Sequence, residues 1–164
     1  MQKVDSPLGR WGYVVLFLVA LLAVAADQLS KMWVRSYPEG LLIYEIGFLR
    51  VRSIHNTGAA FGLFQGQSFA LTIIALLGIV VFLVLAVFFH RRFPLLASIP
   101  NRIAIGFLIG GTIGNLIDRI RLGYITDFID FPVWPAFNVA DSCIVIGVII
   151  FAFSLLRSAI TESF

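Results

Sequence analysis

A chain of 164 residues that is 60% hydrophobic and 13% charged, with mean hydropathy +0.98, has too much apolar surface to hide inside one soluble domain. Its net charge of +3 sits mostly beside apolar runs, where anionic lipid headgroups account for it, so no nucleic-acid partner is expected. The lone cysteine, Cys143, excludes an intrachain disulfide and reads as a small apolar helix residue rather than a nucleophile. The expectation is an all-α integral membrane protein forming a single membrane domain over residues 1–164.

The chain begins with a short polar stretch carrying Lys3 and Arg10. No charge interrupts the run from Trp11 to Ala26, and the last turn extends it to about 20 residues, enough to span a bilayer. A first helix is expected over about residues 12–33. It leads into Asp27-Gln-Leu-Ser-Lys31 rather than a small-residue cleavage site, which favours a retained helix over a cleaved leader. Asp27 and Lys31 stand at i and i+4, the spacing of a structural ion pair, whereas the neighbours Ser30 and Lys31 diverge around the helix and make a poor catalytic dyad.

Residues from about 36 to 67 are punctuated by Gly40, Gly47, Gly58, Gly62 and Gly66. Within them, Phe48-Leu-Arg-Val-Arg-Ser53 alternates apolar with polar residues, the period of a half-buried strand. This predicts a small β-rich cradle on the membrane surface between helices one and two. Asn56, two residues before Gly58, is read equally well as turn chemistry or as a clamp on an extended peptide backbone.

A second helix is expected over about residues 69–89, which carry no charge, ending at His90-Arg-Arg-Phe-Pro94. Pro100 and Arg102 then introduce a third helix over about 102–119, in which Gly106, Gly110 and Gly114 recur at a spacing that lets helices approach closely in lipid. Asn115 and Asp118 share one of its faces, with Arg119 beside them. Pro132 and Pro135 separate it from a fourth helix over about 137–157. Lys3, Arg10, Arg91, Arg92, Arg102 and Arg157 gather on one side of such a four-span layout, against Arg35, Arg50, Arg52, Arg119 and Arg121 on the other. The positive-inside rule therefore puts both termini in the cytoplasm. Asp27, Asn56, Asn115, Asp118, Asp127, Asn138 and Asp141 then converge near the outer face.

Gly110-Gly-Thr-Ile-Gly-Asn-Leu-Ile-Asp-Arg119, Thr126-Asp-Phe-Ile-Asp130 and Phe137-Asn-Val-Ala-Asp-Ser142 place four aspartates close together in an otherwise hydrocarbon chain. Histidine is scarce, and neither a His-Glu-x-x-His motif nor a His/Cys cluster occurs, so no metal or cofactor is expected. Ser142 follows Asp141 without an evident base. Two aspartates brought close share a proton: one activates a water while the other polarises the scissile carbonyl and protonates the leaving amine. Spacing alone leaves Asp118, Asp127, Asp130 and Asp141 competing, with Asp130 readable as a solvated loop acid and Asp141 as an acid favoured by a helix N-terminus.

Asp27-Gln-Leu-Ser-Lys31, Asn56-Thr-Gly-Ala-Ala-Phe61, Asn115-Leu-Ile-Asp-Arg119, Asp127-Phe-Ile and Phe137-Asn-Val-Ala-Asp141 resemble, in order, the motifs of the lipoprotein signal peptidases (signal peptidase II). The resemblance covers about Asp27 to Ser142 and matches the flanks only as hydrophobic helices. It implies an aspartyl endopeptidase of the bacterial inner membrane that removes the signal peptide from diacylglyceryl-modified prolipoproteins, cutting on the N-terminal side of the lipidated cysteine. It implies Asp127 and Asp141 as the catalytic pair. Asn56, Gly58, Asn115, Arg119 and Asn138 become substrate or site-ordering contacts, and Asp27, Lys31 and Asp118 structural polar residues. The implied partners are the lipidated precursor and membrane lipids, and the expected state is a monomer. A proton-coupled transporter, the main rival, would place acids near mid-helix depth rather than clustering them at one end.

Overall fold

The computed structural model describes residues 7–58, 64–89 and 98–161. Lys3, the Ala59-Ala60-Phe61 end of the Asn56 block, Gly62 and the basic stretch from His90 to Pro94 lie outside the described residues. The described chain runs α1 (Pro7–Val34), β1 (Leu42–Ile46), β2 (Leu49–Asn56), α2 (Ser68–Phe89), α3 (Ile99–Leu122), β3 (Ile125–Phe131), β4 (Trp134–Phe137) and α4 (Val139–Thr161). Trp11–Val34 and Ile99–Leu122 are each 24 residues long and apolar enough to cross a bilayer. Shorter apolar stretches, Ser68–Gly78 and Val139–Ser154, lie in α2 and α4. On α1, Trp11, Phe17, Leu21 and Leu22 point outward with no protein covering them, a distribution suited to hydrocarbon surroundings rather than water.

α3 is the central post. A Cβ added at Gly106 would stand 2.8 Å from the Leu16 carbonyl oxygen, one at Gly110 2.7 Å from that of Ala20, and one at Gly114 2.6 Å from Asp27 Oδ2. Positions rise together along both helices, so α1 and α3 run parallel, backbone against backbone. On another face of α3, Gly111 abuts the Ala140 carbonyl, while Gly147 of α4 sits against Ala104. That order is reversed, so α4 runs antiparallel to α3. The four-residue glycine ladder thus does what its spacing predicts.

α3 begins earlier than its sequence signal. Pro100 lies in its first turn, where a missing N–H costs nothing. Arg102, at the expected start of the helix, lies a turn inside it and is buried, packed against Gly12 with its guanidinium 4.5 Å from the centre of the Tyr13 ring. The helix ends at Gly123, whose left-handed φ of 79° lets its N–H close on the Arg119 carbonyl at 3.1 Å. This glycine, rather than Pro132 or Pro135, stops α3. Pro135 lies on β4, an edge strand that tolerates the missing donor.

The sheet has the order β1-β2-β3-β4, antiparallel throughout. Gly47, with φ 58°, turns the hairpin between β1 and β2. Only half of the sheet comes from the segment between α1 and α2; β3 and β4 come from between α3 and α4. The expectation of a cradle built from residues 36–67 alone is corrected accordingly. Asp130 is also not a loop acid: it lies on β3 opposite Arg50, with its Oδ2 4.0 Å from Arg52 Nε.

Candidate active site

Asn138 immediately precedes α4 and caps it. Its side-chain oxygen accepts the Asp141 N–H at 2.9 Å, and Asp141 Oδ2 accepts the Asn138 N–H at 3.2 Å. This is the reciprocal arrangement of a capping box, written here with asparagine and aspartate. The cap leaves the Asn138 amide free to donate elsewhere, to Asp127 Oδ1 at 2.7 Å and Asn115 Oδ1 at 3.1 Å. One asparagine therefore touches both aspartates.

Asp127 is presented by the interior strand β3. Asn56 at the end of β2 is its diagonal neighbour on the same face, and donates its amide to Asp127 Oδ2 at 2.9 Å. The Asn56 oxygen in turn accepts the Gly58 N–H at 2.9 Å, so the turn and the amide donor are one device rather than alternatives. Burial, partly offset by the Asn56 amide and reinforced by the nearby Asp141 charge, pushes the Asp127 carboxyl up to about 7. Asp141 receives the Asn115 amide at 2.8 Å from α3.

Behind this pair lies a sealed ionic layer. Lys31 Nζ, fully buried, reaches Asp27 Oδ2 at 2.8 Å, Asn115 Oδ1 at 2.9 Å and Asp118 Oδ2 at 3.2 Å. Those three acceptors match its three protons. Asp27 also accepts the Ala140 N–H of α4 at 2.9 Å, and Asp118 accepts the Thr126 N–H of β3 at 3.0 Å. Gln28 donates to Asp118 and to the Gly114 carbonyl, and Arg35 pairs with Asp118 at 3.0 Å. Arg119 donates to the Gly58 carbonyl at 3.2 Å, while its buried Nε has no hydrogen-bond partner among the described residues.

Asn56, Gly58, Asn115, Arg119, Asp127 and Asp141 line one cleft of about 690 Å³, whose remaining walls include Trp134, Phe137, Ile144 and Val145. Asn138, fully buried, supports it from beneath. Asp27, Lys31 and Asp118 lie outside the cleft wall in the ionic layer, and Asp130 faces the opposite side of β3. Ser142 spends its hydroxyl on the Asn138 carbonyl at 3.0 Å. Among the described residues no group of three or more His, Cys, Asp or Glu side chains is arranged to hold a metal ion. Sequence reasoning missed Gln28 and Arg35 as members of the ionic layer. Asp27, Lys31 and Arg35 follow at four-residue steps on one helix face, a stripe that could have flagged Arg35.

Two carboxylates on an apolar cleft, beside helices of bilayer length, make an arrangement suited to acid–base hydrolysis at a membrane. The chain belongs to the signal peptidase II family: residues 19–157 match the family described as signal peptidase (SPase) II. It is 44% identical over 137 residues to the lipoprotein signal peptidase of Dehalococcoides mccartyi, covering 83% of this chain and 85% of that one. It is 40% identical over 144 residues to the lipoprotein signal peptidase of Moorella thermoacetica, covering 87% and 93%. A solved bacterial membrane enzyme, determined by the in meso method at 2.3 Å, superposes with a TM-score of 0.76 at 32% identity over 88% of each chain.

Proposed function

We propose that this protein removes signal peptides from bacterial prolipoproteins, hydrolysing the bond on the N-terminal side of the diacylglyceryl-modified cysteine, with Asp127 and Asp141 as its catalytic pair. The observation that carries the assignment is the double contact of Asn138, which holds both carboxylates at one cleft. Asp127, held in a buried place, keeps the shared proton and gives it to the carbonyl oxygen of the scissile bond. Asp141, in the first turn of α4 where the helix dipole favours an anion, takes a proton from the attacking water. The resulting tetrahedral intermediate collapses as the amine leaves with a proton from the pair, giving one carboxyl and one amino terminus. Arg119 lines the same cleft and holds the Gly58 carbonyl, so its role in this reading is to fix the turn that follows Asn56.

The cleft's apolar wall suits an acyl-bearing substrate better than a soluble peptide. All four helices cross the bilayer in this reading, as one membrane domain with both termini in the cytoplasm and the four-stranded sheet at the outer surface. The parallel run of α1 and α3 supports it, since the chain must recross between them and α2 is the segment available. The working unit in this reading is a monomer.

Purified protein, in detergent or bilayer, should cleave a synthetic lipobox peptide carrying the diacylglyceryl thioether and leave the unlipidated peptide intact. Asp127→Asn and Asp141→Asn should each lower the rate by roughly 10³-fold or more, while Asp130→Asn should stay near wild type. Retained activity in Asp127→Asn would overturn the pair; no cleavage of any lipidated peptide by folded protein would overturn the activity.

A further inference from the structure

A second cleft, of about 480 Å³, opens between the C-terminal ends of α1 and α3 and shares no lining residue with the first. It is lined by the apolar Val24, Ala25, Leu29, Met32 and Leu122 and by the polar Gln28, Arg35, Asp118 and Arg121. At about 100° per residue, Arg121 lies roughly 200° around α3 from Arg119, which puts it on the side away from the carboxylate pair.

Charge decides what such a cleft can hold. Within the ionic layer Asp27 and Asp118 balance Lys31 and Arg35. Asp118 is 1% exposed, and its oxygens already accept from Lys31, Arg35, Gln28 and the Thr126 N–H. Arg121 is exposed and has no ion-pair partner among the described residues. Arg35 is partly exposed and uses only Nη1 within the protein, to Asp118 and Thr126, which leaves further guanidinium N–H groups for a ligand. The lining thus carries net positive charge beside hydrocarbon, with no free carboxylate to welcome an ammonium group.

We propose that this cleft is a binding site for an anionic phospholipid, whose phosphodiester sits between Arg35 and Arg121 while an acyl chain lies along Leu29 and Met32. Guanidinium groups match a phosphate oxygen pair in geometry as well as charge. The diacylglyceryl thioether of the substrate has no phosphate to engage them, so the site is distinct from the one that takes the precursor. The proposal rests on the bilayer crossing of α1 and α3, which brings both arginines to headgroup depth.

The test is retention of lipid by the full-length protein in neutral detergent micelles, followed by native mass spectrometry without any substrate. Phosphatidylglycerol should stay bound at one per chain, and phosphatidylcholine at equal mole fraction should be retained several-fold less. Arg121→Gln should lower phosphatidylglycerol retention roughly fivefold, about the worth of one basic residue at a charged lipid surface. Arg121→Lys should recover part of it. Cleavage of the lipidated peptide, measured separately, should remain near wild type in Arg121→Gln, so that failure here is distinguishable from failure of the peptidase assignment. Equal retention of the two lipids, unchanged retention in Arg121→Gln, or displacement by soluble glycerol phosphate at the lipid's own concentration would each overturn the proposal.

Discussion

Asn138 does two jobs with one amide. Its oxygen closes the cap on α4 and its nitrogen spans Asp127 and Asn115. Asn138→Ser should keep the cap within a few tenths of a kcal/mol, since serine is nearly as good at that position. It loses the buried amide donor, however, so stability should fall by roughly 1–3 kcal/mol and kcat/KM of the folded fraction for the lipidated peptide roughly 100-fold. The raised Asp127 carboxyl adds a pH signature. A carboxyl near 7 in the folded protein and near 3.8 unfolded binds more protons folded than unfolded between those values. Stability from this group is therefore greatest below about pH 4 and is lost as pH rises through about 7, by about 4 kcal/mol in all. Thermal unfolding between about pH 4 and pH 8 should show that decline, and Asp127→Asn should flatten it. In the proposed mechanism the same proton serves catalysis, so kcat/KM should fall above about pH 7.

At the level of helices and strands, glycines fix where the carboxylates stand. Gly111 touches the Ala140 carbonyl, one residue from Asp141, so a larger side chain must push α4 off α3. Gly111→Val should cost roughly 1–3 kcal/mol and remove most of the activity. Gly106→Ala, far from the cleft, should destabilise by a similar amount and leave turnover of the folded fraction largely intact. Paired melting and cleavage assays separate the two. The glycine ladder was legible in the sequence because its spacing carries the packing signal directly. β3 was not. Ile125, Asp127, Ile129 and Phe131 share a face of that strand, and the acid at the second of these positions breaks the apolar alternation by which a strand is recognised. The residue that makes the site is the one that hides its strand. The same strand also moved Asp130 to the opposite face, which spacing along the chain could not show, because it left four acids in competition.

Across the whole molecule, the buried ionic layer joins three helices and the sheet through Lys31. Lys31→Met would leave Asp27 and Asp118 buried without their shared cation, a loss of roughly 3–5 kcal/mol. The expected outcome is a sharp drop in melting temperature and in the yield of folded protein, with the residual folded fraction poorly active because Asn115 keeps only the Asn138 amide on its oxygen. The sequence already paired Asp27 with Lys31 and, through the four-span layout, gathered Asp118 at the same face; the direct contact of Lys31 with Asp118 depends on how closely α1 packs on α3, which no local pattern encodes.

The hydrogen bond from the Ala140 N–H to Asp27 Oδ1, 113 residues apart in the chain, has a consequence for biosynthesis. The ribosome makes α1 before α4, so one oxygen of Asp27 is without this partner until α4 has been made. Asp127 and Asp141 likewise emerge only after α3 is complete. A nascent chain already threaded into the membrane as far as Leu122 holds neither carboxylate. Insertion of α4 supplies Asp141 and fills the vacancy at Asp27 in a single event, so with the proposed pair as the catalyst a chain made only as far as α3 is inert.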